Sequence, residues 1–207
     1  MSDILDSYIY LDLEVDLKGQ IFSYGLISSA HTFQASQEQA QDVYSQLIHA
    51  LQIQGTLCGH NFRRFDQVHL TRQWPELESL QIIDTLELSL LAFALEPSHR
   101  LQKDYKLSDY ASNDPLEDVR ATRLLLEQCL KNLGQHPAPL RQLYTWLLTH
   151  GETTADAAYR GLFEPLGWLP EAPPAFGDIV KSGVWLGSRR HPASGSYRRC
   201  HQPGIHL

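Results

Sequence analysis

Asp12, Glu14, Asp66 and Asp118 are four carboxylates whose order and settings suit one kind of chemistry. Asp12 and Glu14 lie two apart in Tyr8-Ile9-Tyr10-Leu11-Asp12-Leu13-Glu14-Val15, a segment rich in strand formers. Strand alternation sets Tyr8, Tyr10, Asp12 and Glu14 on one face, and Ile9, Leu11, Leu13 and Val15 on the other. Asp66 closes His60-Asn61-Phe62-Arg63-Arg64-Phe65-Asp66, one turn into a helix that follows a buried strand. Asp118 closes Asn113-Asp114-Pro115-Leu116-Glu117-Asp118, where Pro115 suits the first turn of another helix. Hard oxygen ligands of this type hold Mg²⁺ or Mn²⁺. Two such ions about 4 Å apart clamp the attacking and leaving oxygens of an in-line phosphoryl displacement. Asp-x-Glu on a strand carries little weight alone, because carboxylates alternate on the solvent face of many edge strands. The three segments together each supply the setting that two-metal chemistry requires. The competing reading is a generic α/β protein with coincidental acids.

The elements that must position these groups follow from pattern. Asp16 to Gln20 is a turn, and Ile21 to Ile27 a second strand, so the first two strands form a hairpin. A short third strand falls near His31-Thr32-Phe33. Ser36 and Gln39 have capping-box spacing, and Val43, Leu47, Ile48 and Leu51 follow at helical spacing over residues 37–53, with Gly55 ending the helix. Thr56 to Gly59 is a buried strand, Phe62 to Trp74 a helix stopped by Pro75, Leu80 to Asp84 a strand, and Thr85 to Phe93 a helix. Residues 94–112 are irregular, and a helix from Pro115 runs to Leu133. Strands that alternate with helices after an opening hairpin imply an α/β domain with an antiparallel edge beside parallel strands. Beyond it, Pro139 to His150 is an amphipathic helix, a second short helix covers residues 153–163, and no sustained period continues past Pro170. The expected organisation is a domain over 1–133, a helical extension or linker over 134–169 and an irregular basic tail over 170–207.

Composition narrows the function classes. The 207 residues are 43% hydrophobic and 20% charged, the balance of a globular protein with a sizeable core. No apolar run is long enough for a membrane span, and the acidic start of the chain lacks the apolar core of a secretory signal. Cys58, Cys129 and Cys200 are too few and too scattered for a disulfide framework. A reducing cytoplasm is the expected location. The net charge of −7 is uneven: residues 178–207 carry +4, leaving −11 on the preceding 177. A body this acidic argues against sequence-blind duplex binding, which needs many phosphate contacts. It is compatible with an enzyme that holds divalent cations and the end of one strand. Arg63, Arg64, Arg72, Arg100, Lys103 and Lys106 are the candidate phosphate contacts near the site.

Tyr-Leu-Asp-Leu-Glu on the first strand, His-Asn-x-x-x-Phe-Asp after a later one and Asp-Pro-Leu-Glu-Asp at the last helix resemble the DEDD superfamily of 3′–5′ exonucleases. That superfamily includes ribonuclease T and the proofreading subunit of bacterial DNA polymerase III, and the resemblance covers residues 7–132. It implies a ribonuclease H-like mixed sheet with flanking helices. It also implies two ions, Mg²⁺ or Mn²⁺, the first held by Asp12, Glu14 and Asp118, the second bridged by Asp12 and supported by Asp66. Leu13, Asn61 and Phe65 would lie near the terminal nucleotide of a single-stranded DNA or RNA 3′ end. Many such proteins are dimers. The chain departs from the family at one point: Asn113 occupies the general-base histidine position of one subgroup, and Asp114 the tyrosine position of the other. An amide takes no proton near neutral pH, so His99, in the irregular segment before the last helix, is the candidate stand-in. Asn-Asp-Pro is equally a good helix start.

Residues 103–118 and the helix from Leu140 to His150 resemble exonuclease-type domains fused ahead of DNA helicases. The expected function is therefore exonucleolysis of single-stranded ends. The alternative is a catalytically weak nucleic-acid-binding module that accompanies a helicase or another DNA-processing partner. The tail from Phe176 admits two origins: a basic segment that touches nucleic acid, or the out-of-frame end of a disrupted gene. Its His191, Cys200, His201 and His206 lack zinc-ligand spacing.

Overall fold

The computed structural model describes residues 2–101, 114–151 and 153–182. A single helical turn, α1 (Ser2–Leu5), precedes β1 (Ile9–Val15), β2 (Ile21–Ile27) and β3 (Thr32–Ser36). There follow α2 (Ala40–Gln54), β4 (Thr56–Gly59), α3 (Asp66–Gln73), β5 (Gln81–Asp84) and α4 (Thr85–Ala92). The chain continues through α5 (Pro115–Gln135), α6 (Ala138–Thr149), α7 (Thr154–Phe163) and α8 (Phe176–Lys181). The strands form one sheet in the order β3-β2-β1-β4-β5. The β3-β2-β1 pairs are antiparallel and the β1-β4-β5 pairs parallel. This is the α/β architecture, with an antiparallel hairpin edge beside parallel strands, that the pattern led us to expect.

The two-residue alternation of β1 divides the core in two. Tyr8 and Tyr10 enter a cluster with Leu88, Val119, Leu126 and Leu130 of α4 and α5. Ile9, Leu11 and Leu13 enter another, with Val43 and Leu47 of α2 and Leu70 of α3. Asp12 and Glu14 continue the tyrosine side of the strand, towards α5.

Three local features differ from the sequence expectation, each for a physical reason. The helix expected from Phe62 begins at Asp66. The chain enters through a turn instead: the backbone N–H groups of Asn61 and Arg63 bond the Asp84 carboxylate, and Asn61 sits at a positive φ of 55°. Asp114, rather than Asn113, caps α5: its side chain accepts the Leu116 N–H at 3.0 Å, with Pro115 at the first helical position. Within the stretch expected to be irregular, residues 176–181 form α8, which buries Ile179.

The helices past residue 134 belong to the same core. Leu162 and Phe163 of α7 are fully buried in the α4–α5 cluster. Each such side chain contributes about 1.5–3 kcal/mol relative to exposure. Trp168 stacks on Phe163, and Trp74 packs against Tyr24 and Tyr44, so these two tryptophans serve packing. Among the described residues, no helix is long and apolar enough to cross a membrane.

Candidate metal centre

Asp12, Glu14 and Asp118 converge. Each offers a carboxylate oxygen, and the three oxygens lie within 4.8 Å of one another. Asp12 and Glu14 are partly buried on β1, and Asp118 is buried in the first turn of α5. Glycine makes the meeting possible. Asp12 pairs across the sheet with Gly25 of β2. A Cβ on Gly25 would sit 2.4 Å from the Pro115 carbonyl carbon and oxygen and 2.7 Å from the Leu116 nitrogen. The start of α5 therefore lies directly on the sheet at Gly25, and Asp118 arrives one turn later beside Asp12.

The donor set fits a hard divalent cation: three carboxylates, from two rigid elements, crowding like charge into one place. Such a cluster suits Mg²⁺, Mn²⁺ or Ca²⁺ better than a soft metal. Among the described residues it is the grouping of three potential ligands at this spacing.

Asp66 stands behind the cluster. It is 3% exposed, and its Oδ1 accepts the Leu13 N–H at 3.1 Å. Leu13 lies between Asp12 and Glu14, so this bond fixes β1 midway between two of the three clustered carboxylates. Burial, reinforced by the charge of Asp12, pushes the Asp66 carboxyl well above the usual carboxylate range; the Leu13 N–H acts in the opposite direction. The Leu13 amide is thus engaged by protein. Asn61 is partly buried in its turn, and Phe65 is 45% exposed, edge-on to His69 with ring centroids 5.0 Å apart.

Asp84 does more than cap a helix. It accepts the Leu86 N–H at 3.0 Å as the α4 cap, and also the N–H groups of Asn61 at 2.8 Å and Arg63 at 3.1 Å. It therefore shapes the turn that delivers Asp66. Burial raises its pKa, with the Arg63, Leu86 and Asn61 amides and the Arg63 charge opposing. Arg63 is not available as a phosphate contact: it bonds the Ile82 carbonyl, pairs with Glu87 at 3.4 Å and lies over the Tyr159 ring. Arg64 and Arg72 are exposed.

His60 also escaped the sequence reading. It follows β4, and its Nδ1 lies 3.0 Å from Thr85 Oγ1. Burial lowers its pKa, while a bond to the His99 backbone and the Asp118 charge raise it and His99 lowers it. Asn113, Lys103 and Lys106 lie outside the described residues, as does the tail beyond residue 182. Gly25 left one sequence signal, a glycine inside a strand pattern; His60 opens the His-Asn-x-x-x-Phe-Asp motif, which by itself assigns it no role.

Compared with protein-family models, with curated proteins and with solved structures, the chain matches none.

Proposed function

We propose that this chain is a metal-dependent 3′–5′ exonuclease with a ribonuclease H-like fold, acting on single-stranded DNA or RNA ends. The observation that carries the reading is the convergence of Asp12, Glu14 and Asp118 from β1 and α5, with Asp66 buried behind the same stretch of β1. In this reading Asp12, Glu14 and Asp118 hold one ion, and Asp12 with Asp66 serve a second. Mg²⁺ or Mn²⁺ held there would offset phosphate charge and lower the pKa of a bound water. The protein's own part is to hold the carboxylates rigidly and to orient the strand end. The exposed ring of Phe65 offers a stacking face to a base, which binds single strands irrespective of sequence.

Asn113 sets the expected rate. A positioned general base is typically worth about 10²–10⁴-fold, and an amide supplies none. Turnover is then slow at neutral pH and climbs with hydroxide. The same residue favours a second reading: a weakly catalytic module that holds a strand end for a helicase partner. Choice between DNA and RNA would rest on contacts to the sugar 2′ position.

The test is degradation of a 5′-labelled single-stranded DNA and a matching RNA, in Mn²⁺ and in EDTA, with wild type beside Asp12→Ala. Metal-dependent shortening from the 3′ end that Asp12→Ala abolishes is the expected result. Asn113→His should then raise the neutral-pH rate. If both proteins leave both oligonucleotides intact, even at high pH, the enzyme reading falls and strand binding becomes the function to measure.

A further inference from the structure

We propose that Tyr159, on α7 and outside the stretch that bears the carboxylates, is a positioning residue for the metal centre. It acts by holding Asp84 and Arg63, which fix the turn leading into Asp66. The inference rests on the metal reading above and extends it to the helical extension.

Tyr159 is 1% exposed and uses both its hydroxyl and its ring. The hydroxyl donates to Glu87 Oε2 at 2.7 Å and lies 3.2 Å from both the Asp84 N–H and the Asp84 carbonyl. It thereby closes the end of β5, where no further strand residue pairs. The ring carries the Arg63 guanidinium, 5.4 Å from its centroid. Glu87 ties the two together, since the same Oε2 pairs with Arg63. The Asp156 carboxylate, one turn earlier on α7, also feels the Arg63 charge. From Asp84 the chain of contacts is short. Its carboxylate holds the Asn61 and Arg63 amides. The turn closes through Phe65 N–H to the Asn61 carbonyl and Gln67 N–H to the Phe62 carbonyl. Asp66 then reaches Leu13 on β1. Asn61 sits at a positive φ throughout, a conformation that persists only when its surroundings over-determine it.

A structural aromatic that merely fills the core would need the ring and nothing else. Here the hydroxyl is spent on the backbone of the residue whose side chain shapes the turn. Groups that support metal ligands from behind typically change metal affinity by about 10–100-fold when removed.

The experiment compares Tyr159→Phe, which keeps the ring, with Leu162→Val, which lowers stability from the same helix while leaving every Asp84 hydrogen bond in place. Two quantities are measured on the full chain: Mn²⁺ affinity, and amide hydrogen exchange at Leu13, Asn61 and Arg63. Tyr159→Phe should weaken Mn²⁺ binding about tenfold and speed exchange at those three amides, with α2 amides unchanged; Leu162→Val should do neither beyond its loss of global stability. Overturning results are unchanged exchange at the three amides in Tyr159→Phe, or equal effects of both variants in proportion to stability. If wild type binds no Mn²⁺, the metal reading fails by itself, and the exchange comparison still decides whether Tyr159 holds the turn.

Discussion

Gly25→Ala puts the geometry of the candidate metal centre to its sharpest test. The added Cβ would lie 2.4 Å from two backbone atoms of Pro115 and 2.7 Å from a third on Leu116. Carbon atoms sit comfortably at about 3.5–4.0 Å, so strand and helix must part by about 1 Å. No side-chain rotation relieves this, because the obstructing atoms are main chain. Overpacking of this kind typically costs about 1–3 kcal/mol, which in a chain of this size lowers Tm by about 2–12 °C. The larger effect should fall on binding. Asp118 rides on α5 three residues beyond Pro115, while Asp12 is paired to Gly25 itself. The three carboxylate oxygens now lie within 4.8 Å, and ligands about 2.0–2.1 Å from one Mg²⁺-like ion tolerate little further separation. We expect Mn²⁺ affinity to fall at least about tenfold, measured by calorimetry or by the electron paramagnetic resonance of free Mn²⁺. Gly55→Ala is the matched control. Gly55 has a φ of 71° and open space around its Cβ position, so alanine there costs about 1–2 kcal/mol through backbone strain alone. It ends α2 and should leave binding intact. Wild-type Mn²⁺ affinity in Gly25→Ala, or an equal loss in Gly55→Ala, would refute the claim that this glycine sets the distance between Asp12 and Asp118.

Three further outcomes are expected. Asp66→Asn should stabilise the metal-free protein at neutral pH: the Asp66 pKa is higher folded than unfolded, so its favourable contribution is complete below the unfolded value near 4 and is lost as pH rises through the folded one. The Tm gain of the variant should therefore vanish in acid, and a constant gain across pH would contradict the assignment. Asp84→Ala strips the acceptor from three backbone N–H groups and should cost about 3–5 kcal/mol in urea unfolding; a cost under about 1 kcal/mol would show that water replaces the carboxylate. Burial drives the Cys58 thiol well up and Cys129 to about 12, so in a Cys200→Ser background neither should react with a disulfide reagent at pH 8 until the protein is unfolded.

Much of the fold was legible because its signals are local. The alternation in β1, the apolar spacing of α2 and the Asp-Pro start of α5 each specify their element within a few residues. The carboxylates were legible too, because strand geometry alone aims Asp12 and Glu14 to one side. What escaped depends on contacts between distant segments. The α3 start follows a turn whose Asn61 and Arg63 amides are held by Asp84, some twenty residues downstream. The importance of Gly25 depends on Pro115, ninety residues away. Arg63 looked like a surface cation because its partners Ile82, Glu87 and Tyr159 are invisible to any local pattern.

The case against coincidental acids rests on where the fold tolerates locally unfavourable features. A strand glycine forfeits side-chain packing. A non-glycine residue at positive φ costs backbone energy, and a buried carboxylate costs desolvation. Gly25, Asn61 and Asp66 are one of each. Two meet β1 directly, Gly25 opposite Asp12 and Asp66 on the Leu13 amide, and the third, Asn61, lies in the turn ahead of Asp66. Local rules fail in natural proteins chiefly where function demands it. A scaffold with no use for Asp12, Glu14 and Asp118 would have no reason to accept these local costs together. That it keeps them around one carboxylate cluster argues that the cluster is what the fold is arranged to hold.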